Sequence, residues 1–316
     1  MSVVDEILRR PEFAAAPPIL VDVGAAGAVH RDWAPVAPYA VCVAFDADVR
    51  EMGYVEKEAA GYRRLVVYSA ILHDRPAATA EFHLTRSPYC SSALRPRNDR
   101  LAAWAFADLF EVVETKSLRA VSLPDVLAEQ KLERVDWFKT DSQGTDLRLF
   151  RSLGEERVRR VLAAQFEPGI IEAYEGEDTL ADVLAFMSAQ GFWMSDLEIH
   201  GSQRIGAAAR RALPTKLRER IRRGVRTSPG WGEATYLNAF EGEWSVRDLL
   251  LGWVIATLRR QHGFALELAL KGAAAGSDPA FDMLRRRSLA AMGRSAAAFP
   301  AFAALRRLGA LASRGS

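Results

Sequence analysis

The chain has 316 residues, 49% of them apolar and 26% charged, with a net charge of +2. This is the composition of a soluble globular protein, long enough for one large domain plus an extension. Two cysteines, Cys42 and Cys90, exclude a disulfide framework, no Cys/His spacing suggests a metal site, and the pattern fits a reducing, cytoplasmic compartment. The small net charge hides an asymmetry: residues 201–316 hold 20 basic and 8 acidic residues, net +12, against −10 for residues 1–200. The basic third points to an anionic partner or a peripheral stay at the inner membrane surface, with merely solvated arginines as the plain alternative.

Val3 to Arg10 reads as a short amphipathic helix, stopped by Pro11, Pro17 and Pro18. The β-branched run Ile19 to Val23 suits a strand buried on both faces of a parallel sheet. It stops at Gly24-Ala25-Ala26-Gly27, where glycine permits a sharp turn and a close approach of backbone to ligand. A short irregular helix is expected within Val29 to Tyr39, then a second strand, Tyr39 to Phe45, ending at Asp46-Ala47-Asp48. A weak helix over Val49 to Ala60 and a third strand, Leu65 to Leu72, follow. The alternation implies parallel pairing with right-handed crossovers.

The rhythm then changes. Thr79 to Thr85 alternates as a half-exposed strand does, and Ser87 to Ser92 is a polar loop. Leu101 to Phe110, with Trp104, Phe106 and Phe110, reads as a helix or as a lid over a pocket. Glu111 to Thr115 is another exposed strand, and Leu123 to Gln130 a helix capped by Ser122 with Pro124 in its first turn. The α/β pattern resumes with a strand from Val135 to Thr140 and a helix from Asp146 to Leu153. A strand from Arg160 to Phe166, a helix from Thr179 to Gln190 and a strand from Phe192 to His200 come next. Nine Lys/Arg between Arg204 and Arg226 face a single acid, Glu219, before a last strand, Gly232 to Ala239. From Ser245 the chain is helical, broken by Gly263, the Gly276–Pro279 turn and Pro300. No signal peptide is expected, because Asp5, Glu6, Arg9 and Arg10 precede any long apolar stretch. The apolar run Leu249 to Leu258 is about half of a membrane span.

Acids fall at the predicted carboxyl ends of strands: Asp46, Asp141 and Glu167. In a parallel sheet these ends line one crevice. Asp46 follows Gly24 by 22 positions, the offset at which an acid accepts the ribose hydroxyls of a nucleoside. The middle glycine of a dinucleotide fingerprint would fall at Ala26, and no Gly-Lys-Ser/Thr follows, which excludes a triphosphate P-loop. A turn with sparse glycine suits S-adenosylmethionine, with Asp46 on the adenosine and an acid such as Asp22 near the charged amino-acid end.

Three segments carry a resemblance: Val21-Asp22-Val23-Gly24-Ala25-Ala26-Gly27, Phe45-Asp46-Ala47-Asp48, and Val135 to Leu147 with Lys139-Thr140-Asp141-Ser142-Gln143-Gly144 at its centre. Together with the Ser91-Ser92-Ala93-Leu94 loop they resemble the FkbM family of class I S-adenosylmethionine-dependent methyltransferases, over about Leu20 to Phe192. Gln143 stands where many members carry glutamate and Ala47 where many carry proline.

The resemblance implies a doubly wound α/β fold: a mostly parallel seven-stranded sheet with an inserted hairpin and a C-terminal helical extension. Residues 1–240 would form the methyltransferase domain (core about 19–200, basic insertion about 204–230), and residues 241–316 a basic helical extension. It implies O-methylation of a hydroxyl on a sugar or specialised metabolite by in-line displacement. Cofactor contacts fall on Asp22, Gly24, Ala25, Gly27, Asp46, Ala47, Ser69, Ala70 and Asp141. Asp141 is the first candidate base, or else only positions the cofactor; His73 is the second. His30 is a weaker candidate for the cofactor's carboxylate. Gln143, which cannot act as a base, would with Ser91 and Ser92 contact the acceptor, a small molecule or glycan. The basic stretch from Arg204 would hold an acceptor's phosphate or acidic groups, and it lacks the interleaved aromatics of a nucleic-acid surface. A non-catalytic scaffold working through its basic helices is the rival reading, a nicotinamide oxidoreductase a distant one, and a homodimer through the helices after Ser245 stays open.

Overall fold

The computed structural model describes residues 2–24, 32–47, 61–217, 220, 226–276 and 278–312, with side chains to residue 297. Chain contacts divide it into two compact units: residues 8–241, and residues 1–7 with 242–316.

The larger unit is built on a seven-stranded sheet. Its strands are β1 (Ile19–Val23), β2 (Val41–Phe45), β3 (Arg64–Tyr68), β7 (Trp137–Thr140), β8 (Ala163–Phe166), β9 (Phe192–Ser202) and β10 (Ser228–Asn238), in the order β3-β2-β1-β7-β8-β10-β9. All neighbours run parallel except β10, which is antiparallel to both β8 and β9. Every residue of β1 and β2 is buried, as their unbroken apolar runs require. On one face Val21, Val43, Phe138, Phe150, Val183 and Met187 share a core. Phe150 sits 5.2 to 5.3 Å from the rings of Phe138 and Phe166.

The chain moves outward from β1 through β2 to β3 and later returns to β7 on the other side of β1. That reversal opens a crevice at the carboxyl ends of β1 and β7, where open α/β sheets bind ligands.

Several boundaries differ from expectation. The third strand does not run from Leu65 to Leu72. It ends at Tyr68, the Ala70 amide donates to the Tyr68 carbonyl over 2.9 Å to close a tight turn, and the chain leaves for a second sheet. That second sheet is more than a hairpin: β4 (Ile71–His73), β5 (Thr79–Thr85) and β6 (Val112–Ser122) lie in the order β4-β6-β5, with β4 and β6 parallel. β6 is much longer than Glu111 to Thr115 because it pairs with β5 along seven positions and then with β4. Ser122 then caps the Leu123–Glu129 helix, its Oγ accepting from the Asp125 amide.

Leu101 to Phe110 is neither one helix nor a strand but a turn of helix at Asn98–Leu101 and a 3₁₀ turn at Ala107–Phe110. Pro11 does not stop structure; it opens the short Pro11–Ala15 helix at a position where its missing N–H costs nothing. Within Val29 to Tyr39 the described part is turns and a 3₁₀ segment at Ala37–Tyr39, with Trp33 buried edge-on against Trp137. The expected helix at 49–60 lies outside the described residues.

The second unit holds, besides most of the short Val3–Leu8 helix, the helices Val246–Leu258, His262–Ala274 and Ala280–Ala312, with Leu250, Val254, Ala269, Phe281 and Leu284 buried. Trp253 Nε1 donates to Ser288 Oγ over 2.9 Å. The last helix continues through Pro300, since a long helix tolerates the loss of one ladder bond. Among the described residues no helix is long and apolar enough to cross a membrane.

Candidate functional site

Register brings the chemistry together. Val23 is level with Phe45 on β2 and Thr140 on β7, and Thr140 with Phe166 on β8. The next residues of these four strands are Gly24, Asp46, Asp141 and Glu167, so one glycine and three acids line a single edge. Gly24 has φ +75°, and a Cβ there would lie 2.2 Å from the Asp141 carbonyl oxygen. Only glycine lets the ends of β1 and β7 approach this closely.

Two cavities open from this edge. The narrower encloses about 100 Å³. Gly24, Asp46 and Ala47 line it on one side, and Ala70, Ile71, Leu72 and Phe82 give it apolar walls. The wider encloses about 700 Å³ and is walled by Phe106, Phe110, Tyr174 and Trp231. Tyr89, Asp141 and Gln143 line both cavities. The end of β7 is therefore the junction between them.

The junction is tightly held. Gln143 has φ +57°, a left-handed backbone that is strained for a side-chain-bearing residue. The buried Ser92 hydroxyl fixes it by donating to the Gln143 carbonyl over 2.7 Å. Gln143 Nε2 donates to Asp141 Oδ1 over 2.5 Å. The buried Tyr174 hydroxyl lies 2.9 Å from both Gln143 Oε1 and the Cys90 carbonyl and donates to one at a time. Asp146, wholly buried, closes the turn by accepting from the Ser142 and Gly144 amides.

Burial sets the protonation of the site. Glu167 is raised far above the carboxylate range by burial and by the adjacent Asp141, with which it shares a hydrogen bond, so Glu167 keeps its proton. Burial and the charge on Asp141 push Asp146 up to about 6. Burial pushes Glu177 up to about 7, although the Ala173 and Tyr174 amides donate to it. Burial would depress the Lys139 ammonium, but Asp22, 3.0 Å away, and then Asp141 outweigh it and hold the lysine charged. The Cys90 thiol, pushed up to about 11 by burial, stays neutral and is no nucleophile.

The candidate residues divide accordingly. Gly24, Asp46, Ala47, Ala70, Ser91, Asp141 and Gln143 line the narrow cleft. Asp22 is instead engaged by Lys139 beneath the edge. Ser69 is exposed beside the cleft, and Ser92 is buried behind it. His73 ends β4 beside Asp74, 3.0 Å away, and lines neither cavity. Ala25, Gly27 and His30 lie outside the described residues. Gln143 bridges Asp141 and Tyr174 through its two amide atoms while lining both cavities. Of the basic stretch, Arg204 donates to the Ala103 carbonyl and Arg210 to the Ala105 carbonyl, and Arg210 pairs with Asp108 at 3.3 Å. These two arginines clamp the 102–110 segment and do not line the wide cavity.

Glu167 was placed at the crevice edge by its strand-end position but given no role. Tyr174 and Trp231 are the residues sequence reasoning left out of the site. Tyr174, in an irregular segment, and Trp231, in β10 between β8 and β9, carried no signal that separates a cavity wall from core.

Residues 47–194 match the methyltransferase FkbM domain. No curated protein sequence matches the chain. Among solved structures, precorrin-6y C5,15-methyltransferase from Geobacter metallireducens GS-15 is similar over 75% of this chain and 85% of its own, at 10% identity and a TM-score of 0.32.

Proposed function

We propose, from the methyltransferase FkbM domain that this chain carries, that it is an S-adenosylmethionine-dependent O-methyltransferase acting on a hydroxyl of a sugar or specialised metabolite. The observation that carries this reading is the meeting of two cavities at Asp141 and Gln143. The donor set of the narrow cleft fits the cofactor: an acid, Asp46, for ribose hydroxyls, and the flat apolar walls of Ala70, Ile71, Leu72 and Phe82 for an adenine. When bound, S-adenosylmethionine supplies an electrophilic methyl group on a sulfonium.

The chain's own residues then have three tasks. The aromatic chamber holds the acceptor and keeps water away from it. Gln143 and Tyr174 fix the Asp141 carboxylate so that the acceptor hydroxyl is oriented toward the narrow cleft, and proximity of this kind supplies a large part of a barrier reduction. Asp141 takes the hydroxyl proton during attack, with the protonated Glu167 bonded to it.

Titration calorimetry with S-adenosylmethionine, S-adenosylhomocysteine and NAD tests the cofactor assignment. The two sulfur compounds are expected to bind and NAD to bind far more weakly. A preference for NAD overturns the reading.

A further inference from the structure

The wide cavity has a second property. Among the described residues that line it are four carboxyl groups, Asp108, Asp141, Glu167 and Glu177, and no lysine, arginine or histidine. Asp108 pairs with Arg210, and Glu177, pushed up to about 7 by burial, accepts from two backbone amides. Asp141 and Glu167 remain, adjacent at the ends of β7 and β8. The same cavity is lined by Phe106, Phe110, Tyr174 and Trp231, with Phe106 5.4 Å from Phe110 and 6.1 Å from Trp231, and Phe110 5.6 Å from Tyr174.

Carboxyl groups and aromatic rings in one lining both favour a cation. Rings attract it through their quadrupole, and a desolvated carboxylate attracts it more strongly than an exposed one. The same lining is unfavourable to an anion, which would find no counter-charge among the described residues. We infer that the acceptor carries a protonated amine near its hydroxyl, the ammonium seated between the Asp141–Glu167 pair and the aromatic wall. This rests on the methyl-transfer reading and narrows its substrate class. Arg204 and Arg210 of the basic stretch are engaged by the 102–110 segment and bring no positive charge to this cavity.

Three probes of one scaffold separate the charge states: tyramine, its neutral alcohol counterpart tyrosol, and 4-hydroxyphenylacetate. Each is titrated calorimetrically into the full chain, with and without saturating S-adenosylhomocysteine. Tyramine is expected to bind at least tenfold more tightly than tyrosol, and 4-hydroxyphenylacetate most weakly. The double variant Asp141→Asn/Glu167→Gln keeps the shape of both groups and is expected to lose the preference for the amine, with its fold checked by near-ultraviolet circular dichroism. Equal binding of amine and alcohol, tighter binding of the acid, binding of none of the three, or a preference that survives the double variant would overturn the inference. Failure of S-adenosylhomocysteine to bind strikes the methyl-transfer reading instead, and the charge preference is still read from the titration without it.

Discussion

Replacing Gly24 by alanine puts the strand-end geometry under the most direct test. The backbone at φ +75° costs an alanine about 1–2 kcal/mol relative to glycine. The new Cβ would also stand 2.2 Å from the Asp141 carbonyl oxygen and 3.1 Å from its carbon. An ordinary carbon–oxygen contact is about 3.3 Å, so the ends of β1 and β7 must part by roughly 1 Å. Both atoms belong to backbone pinned by the Asp141 amide donating to the Val23 carbonyl at 3.0 Å, and overpacking of this kind costs about 1–3 kcal/mol. The sum, about 2–5 kcal/mol, lowers Tm by about 10 °C in a unit of this size. Gly191→Ala is the matched control: its φ is +76° and nothing lies within 4 Å of the added carbon, so only the backbone cost applies. Differential scanning calorimetry reads both melts, and titration calorimetry reads S-adenosylhomocysteine, which should bind Gly24→Ala at least tenfold more weakly. If Gly24→Ala melts with Gly191→Ala and binds normally, the close approach of β1 and β7 is not what shapes the cleft.

Asp46→Ala should weaken S-adenosylhomocysteine at least tenfold, about 1.4 kcal/mol, in the same titration; unchanged affinity removes Asp46 from the ribose. Tyr174→Phe leaves a buried acceptor unpaired, a loss of about 1–3 kcal/mol. Its Tm and turnover should fall while cofactor affinity stays within about twofold, and normal turnover would show that Gln143 holds Asp141 without help. Stability should decline from acid to neutral pH. Burial raises Asp146 from 3.8 to about 6 and Glu177 from 4.5 to about 7, so the folded chain binds these protons more tightly than the unfolded one. Their contribution is full below about pH 4 and is lost as pH rises through 6 to 7. Melting curves from pH 5 to 8 should slope downward, and less so in Glu177→Gln; an identical slope in that variant refutes the assignment.

Much of the sheet was legible because its strands are apolar runs that stop at acids. Ile19 to Val23, Tyr39 to Phe45 and Val135 to Thr140 read as buried strands, and each ends within a residue of where the structure ends it. The acids that follow could be assigned to one edge because parallel strands share direction. What pattern could not convey was which strands are neighbours, so the contact of Asp141 with Glu167, 26 positions apart, was out of reach. The break after Tyr68 was hidden as well, since Leu65 to Leu72 is apolar on both sides of it and only tertiary pairing sends the two halves to different sheets. Trp104, Phe106 and Phe110 look alike in sequence, yet Phe106 and Phe110 face the wide cavity while Trp104 lies under the Arg204 guanidinium, 5.7 Å from its ring. Exposure on a loop is decided by what the loop packs against.

The parallel pairing of β4 with β6, Ile71 opposite Ala120 and His73 opposite Ser122, has an evolutionary corollary. The chain departs for the small sheet and comes back from it side by side, about 4.8 Å apart. Everything between them, residues 74–119, is a cassette whose two junctions are fixed by neighbouring strands. That cassette supplies Phe82, Ser91 and Ala93 to the narrow cleft, and Ser87, Cys90, Phe106 and Phe110 to the chamber. Asp141 and Glu167 belong to the frame that stays behind. One contiguous exchange could thus re-tailor the lining of both cavities while leaving Asp141 and Glu167 in place, because both lie outside it.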